Sequence, residues 1–143
     1  MLSTAPAPRK RNAPPMPDES TAADRRRFVV LRHELRHAVH WDLMLEHGET
    51  LATWRLPRPP SRCSAAAIPA ERIGQHRRAY LDYEGPVSGD RGVVTRHDAG
   101  TFSLTGESPD AWDLHFAGRE LVGRYRLSLK GSSSGEWILE PVA

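Results

Sequence analysis

Three histidines fall within eight residues, and an aspartate follows two residues after the last: His33, His37, His40 and Asp42. Read with period two, His40, Asp42, Met44 and Glu46 share one face of an extended segment, and Val39, Trp41, Leu43 and Leu45 share the other. That alternation predicts a half-buried β-strand. An imidazole and a carboxylate two residues apart on one strand face can reach a single cation. A third ligand from His33 or His37 would complete a two-histidine, one-carboxylate set. Mixed nitrogen and oxygen donors suit manganese or zinc. Three protein ligands leave positions open for water and a phosphate oxygen, toward which such a cation acts as a Lewis acid.

A second constellation is His76-Arg77-Arg78-Ala79-Tyr80. His76 and Tyr80 stand four apart, and a helical turn there would point both side chains the same way. Arg77 and Arg78 would attract phosphate and hold His76 toward its neutral form by like-charge repulsion. The run Glu84-Gly85-Pro86-Val87-Ser88-Gly89-Asp90-Arg91-Gly92 is rich in glycine but lacks the lysine and spacing of a nucleotide-binding P-loop. It reads as a bend at a barrel corner. His47, His97 and His115 stand in turns or late strands without a partner motif and read as surface residues.

The elements that must position these groups are short strands. Phe28–Arg32 is an apolar strand, and Val39–Glu46 and Leu51–Leu56 form a hairpin across His47-Gly48. Pro57-Arg58-Pro59-Pro60 ends it, because proline removes ladder donors. Residues 61–72 read as a loop or short helical turn. A second hairpin is expected between Val93–Arg96 and Thr101–Leu104 around Asp98-Ala99-Gly100. A third joins Trp112–Phe116 to Glu120–Leu129 around Ala117-Gly118, and Trp137–Glu140 closes the chain. About eight short strands with hairpin spacing and no long helical period predict an all-β fold, a small antiparallel β-barrel or sandwich with one short helical turn. Trp41, Trp54, Trp112 and Trp137 read as core.

At 143 residues the chain is sized for one domain. No apolar run approaches the roughly 18 residues of a membrane span. Cys63 is the one cysteine, which excludes an internal disulfide, and no hydrophobic leader opens the sequence. A cytoplasmic protein without membrane contact is the expectation. The net charge of +2 excludes a polycation gripping DNA by charge alone. The basic residues are nonetheless almost all arginine, Lys10 and Lys130 being the two lysines. Guanidinium forks suit phosphate oxygens. Residues 1–24 hold five prolines and almost no large apolar side chain, and read as a disordered tail ahead of a domain at 25–143.

Arg27-Phe28-Val29-Val30-Leu31-Arg32-His33, then His40-Trp41-Asp42 and Leu45-Glu46, resemble the 3′-phosphoesterase module of bacterial DNA ligase D and its stand-alone relatives. Leu51 to Pro57, His76 to Gly85, Asp98 to Phe102, Leu121 to Tyr125 and Trp137-Ile138-Leu139 match later pieces of that module in order, so the likeness covers about residues 27–140. The resemblance implies a small β-barrel and manganese as the metal. It favours His33, at the strand end, over His37 as third ligand beside His40 and Asp42. It also implies a phosphate contact and a catalytic role for His76, supported by Tyr80. A histidine so placed donates a proton to the leaving oxygen or stabilises charge on the phosphoryl group. The implied activity is removal of a 3′-phosphate or terminal 3′-ribonucleoside from a DNA or RNA end in repair, so that a DNA ligase or polymerase can use the hydroxyl. The chain departs from the module at Met44, where the module has arginine, and at Leu31, where it has a polar residue. The module's basic and acidic residues ahead of the first strand have no clear match in residues 1–24. A preserved metal cage with a depleted phosphate clamp also fits a non-catalytic module that binds nucleic-acid ends.

Overall fold

The computed structural model describes residues 25–63, 66–131 and 135–142. The expected tail at 1–24 lies outside the described residues. The strands are Arg26–Glu34 (β1), Val39–His47 (β2), Thr50–Leu56 (β3), Ile68–Arg77 (β4), Gly85–Pro86 (β5), Val93–Glu107 (β6), Ala111–Ala117 (β7), Val122–Leu129 (β8) and Glu136–Pro141 (β9), with a 3-10 turn at Arg78–Asp82. All pairings are antiparallel, in the order β1-β2-β3-β4-β9-β8-β7-β6, and β1 pairs back onto β6. Eight strands therefore close a barrel, and the two-residue β5 rides on the start of β6. Of the two forms that the hairpin spacing allowed, the barrel is the one observed, because β1 pairs with both β2 and β6.

Alternate residues point into the barrel. Phe28 and Val30 of β1, Leu43 and Leu45 of β2, Trp54 and Leu56 of β3, and Trp112, Leu114 and Phe116 of β7 meet there with Leu127 and Leu139. The aromatic rings pack edge to face, Trp54 against Trp112 at 5.1 Å and against Trp137 at 5.5 Å between centroids. Arg72 lies over Trp54 with its guanidinium carbon 4.7 Å from the ring centroid, and over Trp112 and Trp137 as well. Three of the four tryptophans are core, and Trp41 packs partly buried against it.

The opposite residues of β1, β2, β3 and β6 build a second apolar layer on the outer wall. Val29, Leu31, Met44, Leu51 and Val94 are buried there beneath Leu81 of the 3-10 turn, with Tyr80 and Val87 packed against them. The β2 segment 42–45 is thereby buried on both faces, where the alternation predicts one face buried.

Two local expectations are corrected. Residues 68–77 form β4, and only the preceding stretch is a loop. β4 offers just Ile68 and Ala70 to the core, too few inward apolar residues for a period to show. Its place is set by pairing with β3 and β9. Asp98-Ala99-Gly100 is not a hairpin turn either. β6 runs continuously through it, with a register shift opposite Val30 and Leu31. The buried Asp98 carboxylate accepts hydrogen bonds at 2.8–3.0 Å from the backbone N–H groups of Ala99, Arg119, Glu120 and Leu121, tying the β7–β8 turn to β6. Gly100 serves close approach: a Cβ there would stand 2.3 Å from the Ala117 carbonyl oxygen.

Candidate metal centre

The β1–β2 hairpin pairs His33 with His40 and Leu31 with Asp42. Side chains of directly paired residues lie on the same side of the sheet, so His33, His40 and Asp42 converge on the outer wall. Nδ1 of His33 is 3.1 Å from Nε2 of His40 and 3.6 Å from Asp42 Oδ2. His40 Nε2 is 3.4 Å from Asp42 Oδ1. Donors held about 2.0–2.2 Å from one ion stand roughly 3–3.5 Å from one another, so the three side chains fit a shared cation. His37 is exposed in the β1–β2 turn and takes no part.

Two further observations support that fit. Nε2 of His33 lies 2.6 Å from the Arg91 carbonyl oxygen. A carbonyl only accepts, so Nε2 carries the proton and Nδ1 presents its lone pair to the cluster, the orientation a backbone carbonyl imposes on metal-ligating histidines. Gly92 permits this approach. It has φ 87°, and a Cβ there would lie 2.3 Å from the Glu34 carbonyl oxygen and 3.3 Å from His33 Nε2. The second observation is that Asp42 Oδ1 is buried without a hydrogen-bond partner among the described residues. A buried carboxylate oxygen left unpaired costs stability unless a cation satisfies it. Burial pushes the Asp42 carboxyl up to about 6, against the opposing pull of Arg55 and His33. Burial, then the charges of Arg55 and His33, push His40 down to about 4, so its imidazole is neutral at physiological pH and available as a ligand.

These groups line a cavity of about 460 Å³ with Met44, Arg55, His76, Tyr80, Val87, Arg91 and Val94. His76 sits near the end of β4, opposite Leu51, and Tyr80 on the 3-10 turn. The two rings meet edge to face at 5.6 Å, so the expected neighbourhood arises from a strand end and a 3-10 turn, not one helical turn. Thr53 Oγ1 donates its proton to the Leu51 carbonyl at 3.0 Å. It must therefore accept from His76 Nδ1, 3.1 Å away, which leaves the lone pair on Nε2. The pKa of His76 is lowered, by burial first and then by Arg55, His33 and Arg91, against a backbone hydrogen bond to Gly74 that raises it. The predicted direction stands. Its cause is burial, and Arg77 and Arg78 are not among the charges that act on it.

Arg78 forms an ion pair with Glu46 and donates to the Gly48 carbonyl at 3.3 Å, which ties the 3-10 turn to the β2–β3 hairpin. Arg77 lines an adjoining hollow. A guanidinium beside the cluster belongs to Arg55, a residue that sequence reasoning did not single out. Its Nε is buried without a hydrogen-bond partner among the described residues, 3.9 Å from Asp42 Oδ1. The β2–β3 turn lies at Gly48-Glu49 and not across His47-Gly48 as expected, and with the turn so placed the hairpin register sets Arg55 opposite Asp42. Met44 is 1% exposed and forms part of the apolar cavity floor.

Fold and site together define a class: a small closed antiparallel barrel carrying a two-histidine, one-carboxylate cluster on its outer wall beneath an arginine. The family described as the DNA Ligase D 3′-phosphoesterase domain matches residues 31–136, and the chain belongs to that family. It is also 29% identical over 124 residues to the multifunctional non-homologous end joining protein LigD of Pseudomonas aeruginosa, a match covering 79% of this chain and 14% of that protein. The chain thus spans a small part of that relative's length.

Proposed function

We propose that this chain is a metal-dependent phosphoesterase that removes a 3′-phosphate or a terminal 3′-ribonucleoside from a DNA or RNA end during repair, leaving a hydroxyl for a DNA ligase or polymerase. One observation carries the reading. In a chain of the 3′-phosphoesterase family, the His33, His40 and Asp42 donors converge in a cavity that also holds Arg55 and His76. No helix among the described residues is long and apolar enough to cross a membrane, and a cytoplasmic location belongs to the same reading.

His33, His40 and Asp42 would hold the cation, manganese in this proposal and zinc by donor type equally suited. Bound there, it would supply positive charge to a phosphate oxygen. Arg55 offers guanidinium donors to the phosphate. Tyr80 packs against His76 and restrains its ring. His76 enters the reaction neutral, so Nε2 accepts a proton or orients the attacking water. It donates only after taking up a proton, which a phosphate dianion in the cavity favours. The second reading, a non-catalytic end-binding module, rests on Met44, whose thioether offers the phosphate no donor. Incubation of a 3′-phosphorylated oligonucleotide with the chain and manganese separates the two. Release of inorganic phosphate, lost with chelator and in Asp42→Ala, supports the enzyme. Tight binding with no release supports the module.

A further inference from the structure

Beyond Tyr80 lies a smaller hollow of about 200 Å³, lined by Arg77, Ala79, Tyr80, Tyr83, Pro86 and Ser88. Tyr80 borders both spaces, so they adjoin across one aromatic ring. Its ring meets His76 at 5.6 Å on one side and Tyr83 at 5.7 Å, perpendicular, on the other. A line of rings therefore leads from the larger cavity into the hollow. Tyr83 is 36% exposed, yet it is not free, because its hydroxyl donates to the Pro86 carbonyl. An exposed aromatic face held rigid in this way costs little further entropy when a ligand covers it.

The far wall is tied to the cluster as well. Ser88 accepts from Arg91 through its carbonyl at 2.7 Å and its hydroxyl at 3.1 Å, and the Arg91 carbonyl accepts from His33. Arg77 completes the lining. Arg78 beside it is paired with Glu46, and Arg27 with Asp82, whereas the Arg77 guanidinium has no ion-pair partner among the described residues. Two tyrosine rings, a proline and a free guanidinium match a flat heteroaromatic ring followed by an anion.

Building on the reading of the main cavity as a 3′-phosphate site, we propose that this hollow is a base-stacking subsite. It takes the base of the nucleotide that carries the 3′-phosphate, with Tyr83 as the stacking face and Arg77 reaching the phosphate on that nucleotide's 5′ side. The base must leave its duplex stack to enter, so the preferred substrate has an unpaired 3′-terminal residue. The lining holds no asparagine, glutamine or carboxylate, and Arg77 is taken up by the phosphate, so stacking strength sets the base preference and purines lead.

The test uses the full chain with chelator present and two single-stranded oligonucleotides ending in 3′-phosphate, one with adenine at the last residue and one abasic there. By fluorescence anisotropy, Tyr83→Ala loses about 5- to 150-fold in affinity for the adenine end and nothing for the abasic end. Tyr83→Phe, which keeps the ring but not its tether to the Pro86 carbonyl, loses less than Tyr83→Ala on the adenine end and nothing on the abasic end. Equal losses on both ends, or none on either, overturn the subsite. The wild-type chain decides independently of any variant. A terminal 2-aminopurine must be quenched on binding and one three residues inward must not be, and an unquenched terminal base overturns the proposal. Hydrolysis indifferent to Tyr83 removes the subsite and leaves the phosphoesterase. Tyr83-dependent binding with no manganese-dependent hydrolysis removes the phosphoesterase and leaves the subsite.

Discussion

Replacing Asp42 by asparagine is expected to stabilise the metal-free protein while abolishing its response to metal. Burial raises the Asp42 carboxyl from an ordinary 3.8 to about 6, a shift of about two units. At about 1.4 kcal/mol per unit, ionised Asp42 weakens the metal-free fold by on the order of 3 kcal/mol. The carboxyl is 3% exposed, so solvent screening does little to reduce that figure. Because the folded pKa lies above the unfolded one, the penalty is absent below pH 3.8. It grows as pH rises, since the unfolded chain loses its proton first, and is complete above pH 6. Asparagine removes the charge and the pH slope together. Chelator-treated Asp42→Asn should therefore melt roughly 10 °C above wild type at pH 7.5, and the gap should close on acidification to pH 4. With manganese at 100 times its Kd the wild type should gain about 2.7 kcal/mol, and the variant nothing. Thermal melts followed by circular dichroism, at several pH values and with and without manganese, measure all of this. Equal melting points at pH 7.5, or an equal manganese response in both proteins, would refute the reasoning, because either result means that Asp42 is not a buried charge awaiting a cation.

Arg55→Gln should retain manganese by calorimetry but bind a 3′-phosphorylated oligonucleotide about 10- to 150-fold more weakly, the loss of one charge-assisted hydrogen bond; unchanged affinity would remove Arg55 from the phosphate site. His76→Gln should keep metal affinity and lose about 100- to 10,000-fold in phosphate release, and full turnover in that variant would end its proposed role. Met44→Arg should cost about 1–3 kcal/mol by overpacking the layer formed with Val29, Leu31, Leu51 and Leu81, without raising turnover, because Arg55 already supplies a guanidinium. Urea titration and a phosphate-release assay check both halves, and a stable, more active variant contradicts them.

Much of the site is legible without a structure, and the reason is period. Alternation along Val39–His47 sets His40, Asp42 and Met44 on one face, because neighbouring residues of a strand must point opposite ways. The β2–β3 hairpin is equally local, but its turn falls at Gly48-Glu49, one residue past the expected His47-Gly48, and that placement is what brings Arg55 opposite Asp42. The apolar and aromatic spacing that fills the barrel is likewise encoded in short stretches.

Other features depend on what lies across the sheet. His33 and His37 have the same chemistry; the family resemblance favours His33, and the β1–β2 register, which pairs His33 with His40, is the physical reason. The orientation of His33 comes from the carbonyl of Arg91, 58 residues away, and the close approach at Gly92 that permits it cannot be read from the loop alone. β4 has too few inward apolar residues to announce itself, and it exists because closure needs a strand between β3 and β9. Asp98 looks like a turn residue until the β7–β8 turn supplies the N–H groups it accepts. Met44 stands where an open strand face would leave it in solvent, and Leu81 of the 3-10 turn covers it. A chain segment fixes its own periodicity through neighbouring residues, whereas register, closure and burial are settled by contacts that exist only once distant segments have met.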